Sequence, residues 1–344
     1  MKIFFLMIFL LPLIVCGQGS YSLAAKKLFK DAQSEHKKGN SKAAVMLYQK
    51  CIDEDSIFSE AYLNISIIEY ANESYKSSLA NSIKALEYNK VQSSVYGQLG
   101  KSYFMMGNYD SSSYHLNMAI ILGGDKDSDF YFLALSETNQ KDYQKAKLNV
   151  NKAIDKNAAN SYYYVLRGDV NFELEDYENA KLDYEKALSL EPNNTSVYKN
   201  LANVSMVLGQ SEKALECIIK GIDVASIEDK IGFLILQGNY YHEQGDLENA
   251  EKSFNQAYEL NQVSPVILTN QAAVMIDQGD FEGAIEKCTQ ALELDGTQTE
   301  AYFNRGIANE MLRHTDEACS DWEEAFIMGA VKAEDYLNSP TCNE

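Results

Sequence analysis

Apolar residues recur along this chain in stripes that short polar segments interrupt. Phe233, Leu236 and Tyr240 mark one stripe, and Leu247, Ala250, Phe254 and Ala257 mark the next, with Gly245-Asp246 between them. Spacings of three and four put such residues on one helical face. The pattern predicts two amphipathic helices of about 13 residues joined by a tight turn. Gly39-Asn40 and Gly107-Asn108 stand at equivalent breaks 68 residues apart, and Gly279-Asp280 follows Gly245-Asp246 by 34, so the period is 34. Gly or Asn/Asp suits the positive φ that the end of the first helix requires.

A 34-residue frame opens rows at Ala25, Ser59, Ser93, Asp127, Ser161, Thr195, Ile231, Pro265 and Thr299, with two residues near Asp229-Lys230 left over. The eighth residue of each row is small: Ala32, Ser66, Gly100, Ala134, Gly168, Ala202, Gly238, Ala272 and Gly306. So are the twentieth (Ala44 through Ala318) and the twenty-seventh (Cys51 through Ala325). Paired helices approach closely only where side chains are small, so these columns mark helix crossings. Large residues fill neighbouring columns, with Leu28, Tyr62, Tyr96, Phe130 and Tyr164 opening the fourth and Tyr48, Leu116, Tyr184, Phe254 and Trp322 in the twenty-fourth.

These columns, the Gly-Asp/Asn turn and Pro192 near the end of row five resemble the tetratricopeptide repeat. Lys90, Gly124 and Ala158 replace the proline in rows two to four. The resemblance covers residues 25–332 and implies an all-α fold: a right-handed superhelical solenoid of nine helix-turn-helix repeats with a C-terminal capping helix. Val331 to Asn338 suit the cap, stopped by Ser339-Pro340, so that 333–344 form the capping helix and tail. The ending Ala318-Cys319, Trp322, Gly329 and Cys342 is similar to the last repeat of secreted tetratricopeptide-repeat proteins from Bacteroidota.

At the other end, Met1-Lys2 precede an apolar run from Ile3 to Cys16, broken only by Pro12. The run is too short to span a bilayer and reads as a signal peptide over 1–17, cut before Gln18, with 18–24 as a leader. The rival is lipidation of Cys16, although Val15 departs from the small residue usual before a lipidated cysteine. No later segment is apolar for long enough to be a membrane span. An exported chain, periplasmic or secreted, or else associated with the outer membrane, is the expectation.

Composition removes several functions. Lys plus Arg number 30 against 50 Asp plus Glu, a net charge of −20. A phosphate backbone would be repelled, so no nucleic-acid partner is expected. The only arginines are Arg167, Arg305 and Arg313, too few for bidentate anion recognition to be the main business. His36, His115, His242 and His314 have no second ligand at metal spacing and read as scattered helix-surface residues. No nucleophile stands with a base, and paired carboxylates such as Glu282 and Glu286 read as solvated faces. No enzyme, metal or cofactor is expected. Cys51, Cys217 and Cys288 fall at packing positions. Cys319 and Cys342 could form a disulfide or remain free thiols.

The resemblance places a ligand groove along the first helices, lined by their fifth, ninth, twelfth and thirteenth residues. Mapped here, it contains Leu63, Ile67, Tyr70, Lys101, Phe104, Met105, Tyr131, Leu135, Val165, Asp169, Phe172, Lys199 and Asn203. The aromatic members suit a protein or peptide partner; the rival is that tight winding buries them as core. Lys199 and Asn203 supply the start of the family's carboxylate clamp, but Leu236 and Val266 stand where it needs polar and basic groups, so the clamp ligand is not expected. The expected function is a non-catalytic exported scaffold or adaptor. The alternative is a lipid-anchored outer-membrane or secretion-system assembly factor.

Overall fold

The structure, a computed structural model, describes residues 21–343. Residues 1–17 and Cys16, the expected signal and lipidation site, lie outside the described residues. Twenty helices and no strand occur among the described residues. The fold class is the all-α helical-repeat one that the row pattern predicts.

The chain divides into two compact units, Met1–Asn157 and Ala158–Glu344. In the first, α1 (Leu23–Lys37) to α8 (Tyr143–Lys156) form four successive hairpins. In the second, α9 (Ser161–Glu173) to α18 (Thr315–Ile327) form five more, followed by the short α19 (Ala333–Leu337) and α20 (Pro340–Asn343). Within each unit a hairpin packs on the next. In the opening hairpin Ala25, Ala32, Ala44 and Cys51 are fully buried and share a core with Phe58, Ala61 and Ile65 of the following hairpin. The small columns allow this approach, and burying their neighbours supplies the driving force.

The turns differ from the sequence expectation. Each hairpin turn holds one residue at positive φ. Gly39, Gly107, Gly209, Gly245 and Gly279 serve five turns, while Glu73, Lys141, Glu175 and Arg313 serve the others at φ of 59–64°. Closure hydrogen bonds impose the conformation: Lys141 N–H donates to Thr138 O at 2.9 Å and Asp142 N–H to Glu137 O at 2.8 Å. The next residue is the N-cap of the second helix, and at Asn108, Asp142, Asp246 and Asp280 its side chain accepts from a first-turn N–H, as where Asn108 Oδ1 accepts from Ser111 N–H at 3.1 Å.

Two boundaries are corrected. The seventh hairpin opens at Ile227, four residues before the frame, in the 17-residue α13 (Ile227–Glu243). Ser226 caps it by accepting from Asp229 N–H at 3.2 Å, so Asp229 and Lys230, left over from the frame, belong to an added helical turn. The expected single capping helix is two short ones. The first ends at Leu337, ahead of Ser339-Pro340 as expected, and Pro340 then opens α20, because a first helical turn has no use for the N–H that proline lacks.

Candidate functional site

The first helices α3 (Ser59–Ala71), α5 (Ser93–Met105) and α7 (Asp127–Asn139) lie side by side in the first unit. They bring Tyr70, Phe104 and Tyr131 together around a residue outside the expected set, Phe132. Its ring centroid lies 5.4 Å from Phe104, 5.7 Å from Tyr131 and 6.5 Å from Tyr70, all edge-on. Tyr75 touches Tyr70 at 5.5 Å and Tyr109 touches Phe104 at 5.6 Å, so second helices widen the strip. All six rings are half-buried, supporting one another while leaving part of each ring accessible. The sixth row position is mostly polar (Lys30, Asn64, Gln98, Asn200, Asn270, Asn304), so an aromatic there was the available signal for Phe132.

Lys101 borders the strip. Its ammonium lies 5.9 Å from the Phe132 centroid, pairs with the buried Asp129 at 2.7 Å and donates to Ser128 Oγ at 2.9 Å. Ile67 and Met105 are exposed and Leu135 is half-buried. Leu63 is the correction: it is 5 % exposed and packs with Ala85, Val95 and Leu99. The hairpin stacked on top encloses it, so it is core and does not line a groove.

The other expected groove residues belong to the second unit. Phe172 meets Tyr177 edge-on at 5.3 Å, and Val165 is half-buried. Asp169 Oδ1 accepts from Tyr184 Oη at 2.8 Å and from Asn200 Nδ2 at 2.9 Å. Burial outweighs these bonds and pushes its carboxyl up to about 6. Lys199 is engaged: its ammonium lies 3.4 Å from Asp229 Oδ1 and 5.1 Å from the Phe233 centroid. Asn203 is exposed. Farther along, His242 Nε2 and Asp277 Oδ2 are 2.7 Å apart.

Two arginines repeat one structural device. Arg167 forks onto Asp183 with Nε at 2.9 Å and Nη2 at 2.6 Å, and Asn171 donates to the same carboxylate at 2.9 Å. Arg305, Asp321 and Asn309 reproduce it at the same row positions. Both forks join the helices of one hairpin. His115 corrects the surface reading of the histidines: its ring stacks on Tyr103 at 5.2 Å, and burial lowers its pKa. Among the described residues no group of His, Cys, Asp and Glu could hold a metal ion. No described helix is long and apolar enough to cross a membrane.

Cys319 of α18 is disulfide-bonded to Cys342 of α20, with Cα atoms 5.6 Å apart. Cys51, Cys217 and Cys288 are buried thiols, and burial pushes the first two up to about 11 and the third to about 12.

Residues 161–194 and 231–263 match a tetratricopeptide repeat model, and residues 183–216 match a second one. RNA polymerase II-associated protein 3 of Mus musculus is 28 % identical over 90 residues, 26 % of this chain and 14 % of its own length. This chain therefore spans only a small part of that relative. The C-terminal part of a TPR repeat-containing protein from Cytophaga hutchinsonii superposes with a TM-score of 0.57 at 15 % identity, covering 70 % of this chain and 98 % of its own. A tetratricopeptide repeat protein from Parabacteroides merdae gives 0.51 at 15 % identity, covering 74 % and 100 %. Residues 161–216 and 231–263 thus carry tetratricopeptide repeats, and the recurring hairpins share the fold of these tetratricopeptide-repeat structures.

Proposed function

We propose that the chain is a non-catalytic, exported scaffold that holds a protein or peptide partner against the first-helix face of its first unit. The aromatic strip around Phe132 carries this reading. Half-buried rings fixed by one another lose little side-chain entropy on binding, and each retains apolar area for a partner to cover. At about 25 cal/mol per Å² of apolar area, covering two or three rings contributes a few kcal/mol.

The apolar run after Met1-Lys2 supports export, as does the Cys319–Cys342 disulfide, since such bonds persist in oxidising compartments. Replacing Phe104 and Tyr131 with alanine tests the surface. Circular dichroism and melting should stay close to the parent, while partners captured from an envelope fraction should be lost. Capture that survives the double substitution refutes the proposed surface. The mass of the mature N-terminus separates processing before Gln18 from the lipid-anchored alternative at Cys16.

A further inference from the structure

We infer that copies of this chain associate head to tail, the last repeat of one copy seating in a lysine-rimmed apolar cleft on the first repeat of the next.

The tail is defined by a position that other repeats cover. The twenty-eighth row residue is Ile52, Leu86 or Ile120 in the first unit, and Leu188, Ile222, Tyr258 or Leu292 in hairpins of the second that another hairpin follows. All are buried or half-buried. Ile52 shares a core with Phe58 and Ala61 of the following hairpin, and Leu292 packs with Ala301 in the same way. In the last repeat this residue is Phe326, 43 % exposed, beside Ile327 at 69 % and Val331 at 74 %. The end helices cover other groups: Tyr336 sits 5.2 Å from Phe303 and 4.7 Å from Trp322. Exposed Glu323 and Glu324 adjoin Phe326, so the tail is an apolar projection with a negative border.

The head has the opposite character. Leu23, Phe29 and Phe58 line a cleft of about 470 Å³ rimmed by Lys26, Lys27 and Lys30. Leu23 is 87 % exposed. Phe58 is held from below by Tyr21 at 3.9 Å and Phe29 at 4.9 Å. None of the three ammonium groups enters an ion pair among the described residues. A cluster of free lysines is unusual in a chain of net charge −20. Head-to-head contact would oppose lysines and tail-to-tail contact would oppose glutamates, each at a cost. Head to tail pairs unlike charge around an apolar centre. Such a contact is heterologous and leaves a free end on every copy, so it yields rings or filaments.

The test is sedimentation of the purified protein from micromolar to near-millimolar concentration. Species larger than the monomer should form at low salt and weaken at about 1 M salt, where screening falls to roughly 3 Å. Lys26→Glu/Lys30→Glu and Glu323→Lys/Glu324→Lys should each weaken association ~10-fold or more. Mixing the two variants should restore it, because each reversed end then meets an opposite charge; this rescue also shows that both variants fold. A carbodiimide cross-link joining Lys26 or Lys30 to Glu323 or Glu324 across isotopically distinct copies would confirm the register. A monomer throughout, association that only the tail variant disrupts, or cross-links from the cleft lysines only to carboxylates of the same copy would each overturn the proposal.

Discussion

A Cβ added to Gly306 would stand 2.4 Å from Nε1 of Trp322, a fully buried side chain that fills the space between α17 (Thr299–Met311) and α18. The same relation recurs between Gly100 and Leu116, Gly168 and Tyr184, and Gly238 and Phe254. Opposite Val150, Ile218 and Cys288 the first helix carries Ala134, Ala202 and Ala272. Glycine here is required by the neighbouring side chain, since each of these residues has ordinary helical backbone. Gly306→Ala should lower stability by about 1–3 kcal/mol despite alanine's better helix propensity. Urea denaturation measures it. Combined with Trp322→Leu, the two losses should add to less than their sum.

The four non-glycine turns offer the reverse experiment. Lys141 and Glu175 hold positive φ that a Cβ disfavours by roughly 1–2 kcal/mol. Glycine removes that penalty but gives the unfolded chain about 0.4–1 kcal/mol more entropy. Lys141→Gly and Glu175→Gly should each raise the melting temperature slightly, with a net gain of up to about 1 kcal/mol. Gly209→Ala at the equivalent turn should lower it. A lower melting temperature for both glycine variants would show that contacts of the original side chains outweigh the strain.

Asp169 gives the second unit a pH dependence. Burial raises its carboxyl to about 6 in the folded chain, above its usual value of 3.8. Between those values the folded state keeps a proton that the unfolded chain has lost, so this group's contribution to stability falls as pH rises from about 4 to 6. Asp169→Asn retains an oxygen that can accept from Tyr184 and Asn200. It should flatten the pH profile of denaturation in that window and stabilise the protein near neutrality by about 2 kcal/mol. An unchanged profile would contradict the assignment.

The Cys319–Cys342 bond closes a short loop, the two cysteines being 23 residues apart. Chain-entropy arguments assign such a cross-link about 3 kcal/mol. Repeat proteins distribute stability between neighbours, so the loss on reduction should be local. Hydrogen exchange after reduction should accelerate in α18 to α20 and remain unchanged in α1 to α8. Uniform acceleration would argue against a local clamp.

Much of the fold was legible because it is periodic. Ala134 and Ala202 announce a helix crossing by their column alone, since any larger residue there would separate the helices. Site residues were less legible. Leu63 and Tyr131 occupy the same row position, yet one is core and the other borders the strip, because what covers them comes from another hairpin. Phe132 escaped a family-based map that omits its column, although its apolar character in a mostly polar column was visible.

The sequence by itself determined the helices, their pairing and the spacing of the hairpins, because these depend on contacts between residues a few turns apart in one repeated pattern. It also set the net charge of −20. Tertiary structure alone decided which apolar residues remain accessible: Phe132 at the centre of a strip, Phe326 uncovered at the last repeat, and Lys199 engaged by Asp229. Accessibility depends on what a neighbouring hairpin places over a side chain, and no local pattern encodes that.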